Sequence, residues 1–189
     1  MATPVQGPPL VHGGPWTIED WLALPETVGQ KCELVDGTLV MSPNPAPRHQ
    51  RLLHRVVVAL NAAAPPELEV LMGINVQTGA DRVLIPDLAV VDCPGFEQVM
   101  IGVEHLMLAV EIVSPTSRTH DRITKRQLYA EAGVPHYVVV DSTTRPPTAF
   151  AYRLEQGDYR EESRTEGDNL LRLIAPFPVT LDLTEPARG

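Results

Sequence analysis

Leu106-Met107-Leu108-Ala109-Val110-Glu111-Ile112-Val113-Ser114-Pro115 is an almost unbroken apolar run with one carboxylate inside it, stopped by serine and proline. Apolar sequence of this length without polar alternation predicts a strand covered on both faces. A carboxylate in such a strand is costly unless a cation or hydrogen-bond donors meet it. Upstream, Val83-Leu84-Ile85-Pro86-Asp87-Leu88-Ala89-Val90-Val91 repeats the pattern and ends in the turn residues Asp92-Cys93-Pro94-Gly95. Pro86 lacks a ladder donor, which places Asp87 at a strand end, an edge or a bulge, where side chains are re-aimed. Taken singly, each acid is readily explained by an arginine partner or a capped turn.

The third element gives the pair its interest. Ser114-Pro115-Thr116-Ser117 ends the Glu111 strand and offers cap residues, after which Asp121 to Ala132 reads as a helix closed by Gly133 and Pro135. Asp121, Lys125, Tyr129 and Ala132 recur at spacings of four and three and share one face. Leu128 lies on it too, so the face also reads as a core stripe carrying an ordinary intrahelical Asp121–Lys125 pair. Because the helix directly follows the Glu111 strand, it is expected to pack back across the sheet and carry Lys125 toward the carboxylates. Tyr129 is expected to be a packing residue with its hydroxyl at the rim.

The rest of the chain predicts a mixed architecture. Thr17 caps a short helix running to Leu24, with Glu19 and Asp20 in its first turn. Lys31 to Met41 reads as a hairpin around Asp36-Gly37. A prolyl connector leads into an amphipathic helix from Arg48 to Ala64, stopped by Pro65-Pro66. Glu67 to Thr78 and Val83 to Val91 read as strands, as does His136 to Asp141 after the Lys125 helix. Thr148 to Leu154, Tyr159 to Thr165 and Val179 to Leu183 read as a closing antiparallel set. The expected fold is α/β (α+β), in one domain spanning residues 16–189 behind a flexible Pro/Gly-rich arm, residues 1–15.

Cys32-Glu33-Leu34-Val35-Asp36-Gly37, Ser42-Pro43 with His49-Gln50, Pro86-Asp87, Glu111-Ile112-Val113-Ser114-Pro115, Asp121 with Lys125 and Tyr129, and Gly133 through Asp141 together resemble the Uma2 family. That family is placed with the restriction-endonuclease-like PD-(D/E)XK nucleases, and the resemblance runs from about Trp16 to about Asp182. It implies a restriction-endonuclease-like core: a central mixed β-sheet flanked by helices, with an N-terminal hairpin and C-terminal antiparallel strands. It also implies an endonuclease hydrolysing phosphodiester bonds, with Asp87 and Glu111 holding Mg²⁺ or Mn²⁺, hard cations that take oxygen ligands. The superfold's motif usually has a lysine two residues after the glutamate, where this chain has Val113. The resemblance makes Lys125 its replacement, leaves the backbone carbonyl of Val113 to serve the metal, and gives auxiliary positions to Glu33, His49 and Asp121. On the residues alone, Glu33 reads equally as a hairpin acid paired with Lys31 or an arginine, and His49 as a cap or surface residue.

The net charge of −9 disfavours nonspecific polyanion binding, because phosphate affinity comes largely from lysine and arginine. Charge is unevenly spread, however. Arg48, His49, Arg51, His54 and Arg55 form one basic segment, Arg118, His120, Arg122, Lys125 and Arg126 another, and acids gather after Leu154. Two basic segments flanking one cleft would hold a local positive field for nucleic acid, with DNA the expected substrate. The competing class is an inactive nucleic-acid or protein interaction module on the same fold. A hydrolase for a small phosphorylated metabolite finds no Gly-rich phosphate loop. No apolar run approaches the roughly 20 residues that span a bilayer. The two cysteines, Cys32 and Cys93, lack zinc-site spacing or disulfide density, so a cytoplasmic protein with reduced thiols is expected. A homodimer is one arrangement by which twofold-related sites would cut both strands.

Overall fold

A computed structural model describes residues 13–25, 30–113 and 124–184. The expected arm falls mostly outside these residues, as do Ser114 to Pro115, the basic residues Arg118, His120 and Arg122, and Asp121 with the expected helix start.

The chain opens with α1 (Ile18–Leu22), closed at its N-terminus by reciprocal hydrogen bonds between Thr17 and Asp20. The indole of Trp21 donates to the carbonyl of Cys32 at 2.9 Å, docking this turn on the hairpin that follows. That hairpin is β1 (Gln30–Val35) and β2 (Thr38–Pro43), turning at Asp36 and Gly37 with both φ positive, at 48° and 75°. Such a turn matches the right-handed twist of its strands. α2 (Pro47–Ala63) follows, with proline at its first position, where no N–H is required.

The next two expected strands each divide. Glu67 to Thr78 becomes β3 (Glu69–Met72) and β4 (Asn75–Gly79), with Gly73 at φ +60° between them. Val83 to Val91 becomes β5 (Arg82–Leu84) and β6 (Leu88–Val91), broken at Ile85-Pro86-Asp87. The break carries the chain from one sheet to another. β5 belongs to a five-stranded sheet ordered β2-β1-β5-β4-β7, where β7 is Met100–Gly102, a strand the sequence reading passes over. β6 belongs to a six-stranded sheet ordered β11-β10-β9-β8-β6-β3. In it β8 (Leu106–Val113) runs parallel to β9 (His136–Asp141), while β10 (Thr148–Glu155) and β11 (Asp158–Arg164) close one edge antiparallel. α3 (Arg126–Glu131) lies between β8 and β9, and a hairpin of β12 (Leu170–Leu173) and β13 (Val179–Asp182) completes the order.

β8 is buried along nearly its whole length, as its unbroken apolar sequence requires. Its alternate side chains enter two separate cores. Leu108, Val110 and Ile112 pack with Leu52, Val56 and Leu60 of α2 and with Leu171 and Leu181 of the terminal hairpin. Ala109 and Val113 face the other way, with Leu84 and Ile101 of the five-stranded sheet and Leu128 and Tyr129 of α3. Period two puts Glu111 on this second face, between Ala109 and Val113. Among the described residues no helix is long and apolar enough to cross a membrane.

Gly37 and Gly133 both sit at positive φ, but a Cβ at Gly37 would lie 2.7 Å from Pro15 Cβ, whereas one at Gly133 meets nothing within 4 Å. Gly37→Ala is expected to cost about 2–3 kcal/mol and Gly133→Ala about 1 kcal/mol. Urea denaturation checks this, and equal losses would show that the turn does not meet Pro15 in solution.

Candidate active site

The break at Ile85-Pro86-Asp87 leaves backbone groups without a ladder, and side chains from β1 take them up. Glu33 Oε1 accepts the N–H of Ile85 at 2.7 Å, and Lys31 Nζ donates to its carbonyl at 3.3 Å. Pro86 has no N–H to satisfy. Residues 31 and 33 share a face of β1, so one strand grips both backbone polar groups of Ile85.

The same break aligns the two acids. β6 pairs antiparallel with β8, Leu88 opposite Val110. Carried one step past the strand end, that register sets Asp87 opposite Glu111. Directly opposed residues have Cβ atoms about 4.5–5.5 Å apart. Asp87 Oδ2 accepts the N–H of Ile112 at 2.8 Å, so the carboxylate replaces a ladder bond where the strand has ended. Its Oδ2 also meets His49 Nε2 at 2.9 Å, and Oδ1 meets Lys31 Nζ at 2.5 Å. Burial works to raise the Asp87 pKa, but the His49 hydrogen bond and the charge of Lys31 outweigh it and hold the carboxyl well below the usual range.

Glu111 is arranged differently. Lys125 Nζ donates to its Oε1 at 2.9 Å and Tyr129 OH to the same oxygen at 3.1 Å. Lys125 also lies 3.1 Å from Glu33 Oε1, so one ammonium joins β1, β8 and the start of α3. Burial, with smaller contributions from Asp87 and Glu33, overcomes Lys125 and pushes the Glu111 pKa up to about 8. Burial followed by the Glu111 charge keeps the Tyr129 hydroxyl protonated far above its ordinary value, so it remains a donor.

The structure therefore gathers Asp87, Glu111, Lys125, Glu33 and His49, all buried. Asp121 lies outside the described residues. Tyr129 is not at the rim: it is fully buried and bonded to Glu111. Glu33 does not pair with Lys31, which turns to Asp87. The Val113 carbonyl is not open to a metal, because it accepts both the backbone N–H of Ser142 at 3.2 Å and its hydroxyl at 2.7 Å. Lys31, 30% exposed, is the member the sequence reading missed as a site residue. Its only signal was its place two residues from Glu33. Of the first basic segment, Arg48 is committed to the carbonyls of Ser142 and Thr144, and Arg55 to that of Thr184. Arg51 and His54 remain exposed.

Three carboxyl groups here face two ammonium groups, and the surplus falls on Glu111. Both donors to Glu111 fall on Oε1, and among the described residues no donor reaches Oε2. His49 shows a similar opening. A carboxylate only accepts, so Nε2 carries the proton, and Nδ1 is buried without a partner among the described residues. An excess of carboxyl groups over ammonium groups, with oxygen donors throughout, fits a hard divalent cation. The three acids do not form a preassembled cage, however. Among the described residues only Asp92, Cys93 and His105 bring three ligand atoms within 4.8 Å of one another.

The fold is mixed α+β, with large mixed sheets and few helices. A crystal structure from Anabaena variabilis ATCC 29413, titled as "a putative nuclease belonging to DUF820", matches with a TM-score of 0.68 over 84% of this chain and 89% of that one, at 22% identity. A comparison with curated proteins finds no match. The description "Uma2: Putative restriction endonuclease" covers residues 18–184, and the chain belongs to that family.

Removing Lys125 strands two buried acids. Lys125→Met is expected to lower the unfolding free energy by about 3–5 kcal/mol at pH 8, and adding Glu111→Gln to recover part of that loss. Between its ordinary 4.5 and about 8, Glu111 is ionised in the unfolded chain and protonated in the native one. It therefore subtracts stability progressively as pH rises through that window. Asp87 acts oppositely: its contribution is full above its ordinary 3.8 and lost as pH falls below it. Denaturation across pH in chelator tests this, and a Glu111→Gln profile parallel to wild type between pH 4.5 and 8 would refute it.

Proposed function

We propose that this chain is a metal-dependent endonuclease hydrolysing phosphodiester bonds of nucleic acid, DNA in the first instance. The observation that carries the reading is the Lys125 ammonium held against Glu111 and Glu33, beside an Asp87 set opposite Glu111. Family membership and the nuclease-like fold support it.

Asp87 and Glu111 are the residues that would hold Mg²⁺ or Mn²⁺, with Glu33 available through its second oxygen. Bound there, the ion would supply activation of a water nucleophile and charge neutralisation at the scissile phosphate. Lys125 keeps a cation at the site where negative charge grows on the phosphate oxygens, and its two carboxylate contacts fix the ammonium in advance, so no reorganisation is needed during reaction. Tyr129 holds Glu111 Oε1 and thereby leaves Oε2 toward the ion. His49 and the Ile112 N–H hold Asp87 in one orientation. Lys31, the most exposed cation of the group, is placed to meet the phosphate backbone. The Val113 carbonyl has no part in this scheme, since Ser142 already engages it twice. For Asp121 the proposed role is to position Lys125 or to act as an outer-shell acid.

Purified protein is to be incubated with supercoiled, linear and single-stranded DNA and with RNA, in Mg²⁺, Mn²⁺ or chelator. Metal-dependent cleavage is expected, lost in Asp87→Asn and Glu111→Gln and reduced about 10²–10³-fold in Lys125→Met, each variant first shown to be folded by circular dichroism. Cleavage that survives these substitutions would assign the activity elsewhere. Nucleic-acid binding without cleavage would instead favour the interaction module. Equal cutting of both strands by a species twice the monomer mass in sedimentation would support the homodimer.

A further inference from the structure

At the other end of the β6–β8 pair, three kinds of donor meet. The chain leaves β6 through Asp92 and Cys93 and re-enters β8 through His105, and the ligand atoms of these residues all lie within 4.8 Å of one another. Their placement is built into the backbone: the N–H of Asp92 donates to the carbonyl of His105 at 3.1 Å, and His105 Nδ1 lies 2.8 Å from Asp92 Oδ1.

The donor set is chemically distinct from the carboxylate–lysine site. Thiolate, imidazole and carboxylate together suit borderline divalent transition ions, whereas Mg²⁺ avoids sulfur and nitrogen. Zn²⁺ binds such ligands at about 2.0–2.3 Å, which requires donor atoms within about 4 Å of each other, and those of the three residues already lie within 4.8 Å. The surroundings also favour a cation. Glu69 accepts the N–H of Gly95 just beyond Cys93, and the Glu104 carboxylate lies folded against Gly102, in space that any side chain there would take. Burial, then the charges of Asp92, Glu69 and Glu104, push the Cys93 thiol up. Asp92 and His105 are 43% and 45% exposed, so an ion has access and water can complete its coordination.

We propose that Asp92, Cys93 and His105 form a binding site for Zn²⁺ or a similar borderline divalent transition cation, which clips the end of β6 to the start of β8. On binding, the S–H bond of Cys93 breaks, its proton passes to solvent, and sulfur donates the retained electron pair to the metal without change of oxidation state. The clip closes the segment that carries β7 into the five-stranded sheet. Glu111 lies five residue steps along β8 from Leu106, the neighbour of His105, about 17 Å of strand, so the ion acts on stability and not at the carboxylate site. This inference is independent of the proposed nuclease activity.

Full-length, chelator-treated protein is to be titrated with Co²⁺ and with Zn²⁺. Co²⁺ is expected to give thiolate-to-metal charge-transfer absorption in wild type and in Cys32→Ser, unaffected by excess Mg²⁺ and lost in Cys93→Ser and in His105→Ala. Zn²⁺ is expected to slow alkylation of Cys93 but not of Cys32, read by peptide mass spectrometry, and to raise Tm in wild type but not in Cys93→Ser. A missing band, a band that survives Cys93→Ser, or Cys93 alkylation unchanged by Zn²⁺ in the wild-type protein would overturn the site.

Discussion

One ammonium group, that of Lys125, holds the architecture of the site together. It lies between Glu111 on the six-stranded sheet and Glu33 on the five-stranded sheet, at the start of the helix that joins β8 to β9. Each of these groups is nearly excluded from water. Burying any one ionised without the others would cost several kcal/mol, so two sheets and a helix must come together in one arrangement for the three groups to be tolerated. The bond from Tyr129 adds a neutral donor and uses the same helical face.

The second constraint is the break at Ile85-Pro86-Asp87. A continuous strand would have kept Asp87 in a ladder, with its carboxylate aimed by the pleat alone. Because the chain changes sheets here, the Ile85 peptide needs partners, and β1 supplies Glu33 and Lys31. The residues that satisfy the crossing are those that compensate the acids. Structural necessity and candidate chemistry thus use the same side chains, which accounts for how a protein of net charge −9 keeps two lysines on one small cluster.

The strand pair that carries this cluster is chemically different at its two ends. One end presents carboxylate oxygens and ammonium groups, suited to a hard cation and phosphate. The other presents sulfur, nitrogen and oxygen around a short backbone closure. Antiparallel pairing produces this division, since each strand has one end at each site.

Much was legible in the chain itself. The apolar run around Glu111 required a strand buried on both faces, Asp36-Gly37 required a tight hairpin, and the four-residue spacing of Lys125 and Tyr129 put both on one helical face. These are local consequences of periodicity and turn stereochemistry, which neighbours cannot easily override. Family resemblance added Asp87, Glu111 and Lys125 as a set. The sequence reading failed where the outcome depended on which groups meet across sheets. It ran β5 into β6, because an apolar run does not say which sheet receives it. In sequence Lys31 reads as a hairpin partner and Tyr129 as a rim residue, whereas in the fold Lys31 meets Asp87 and Tyr129 is buried against Glu111. The cysteines are judged in sequence by their spacing from each other, so the approach of His105 to Cys93 is invisible there. The sequence by itself determined the strands, turns and helical faces, and the identity of the charged groups. Tertiary structure alone decided their partners, because the energy of a buried charge depends on what lies within a few ångströms, and that is set by the crossing of the sheets.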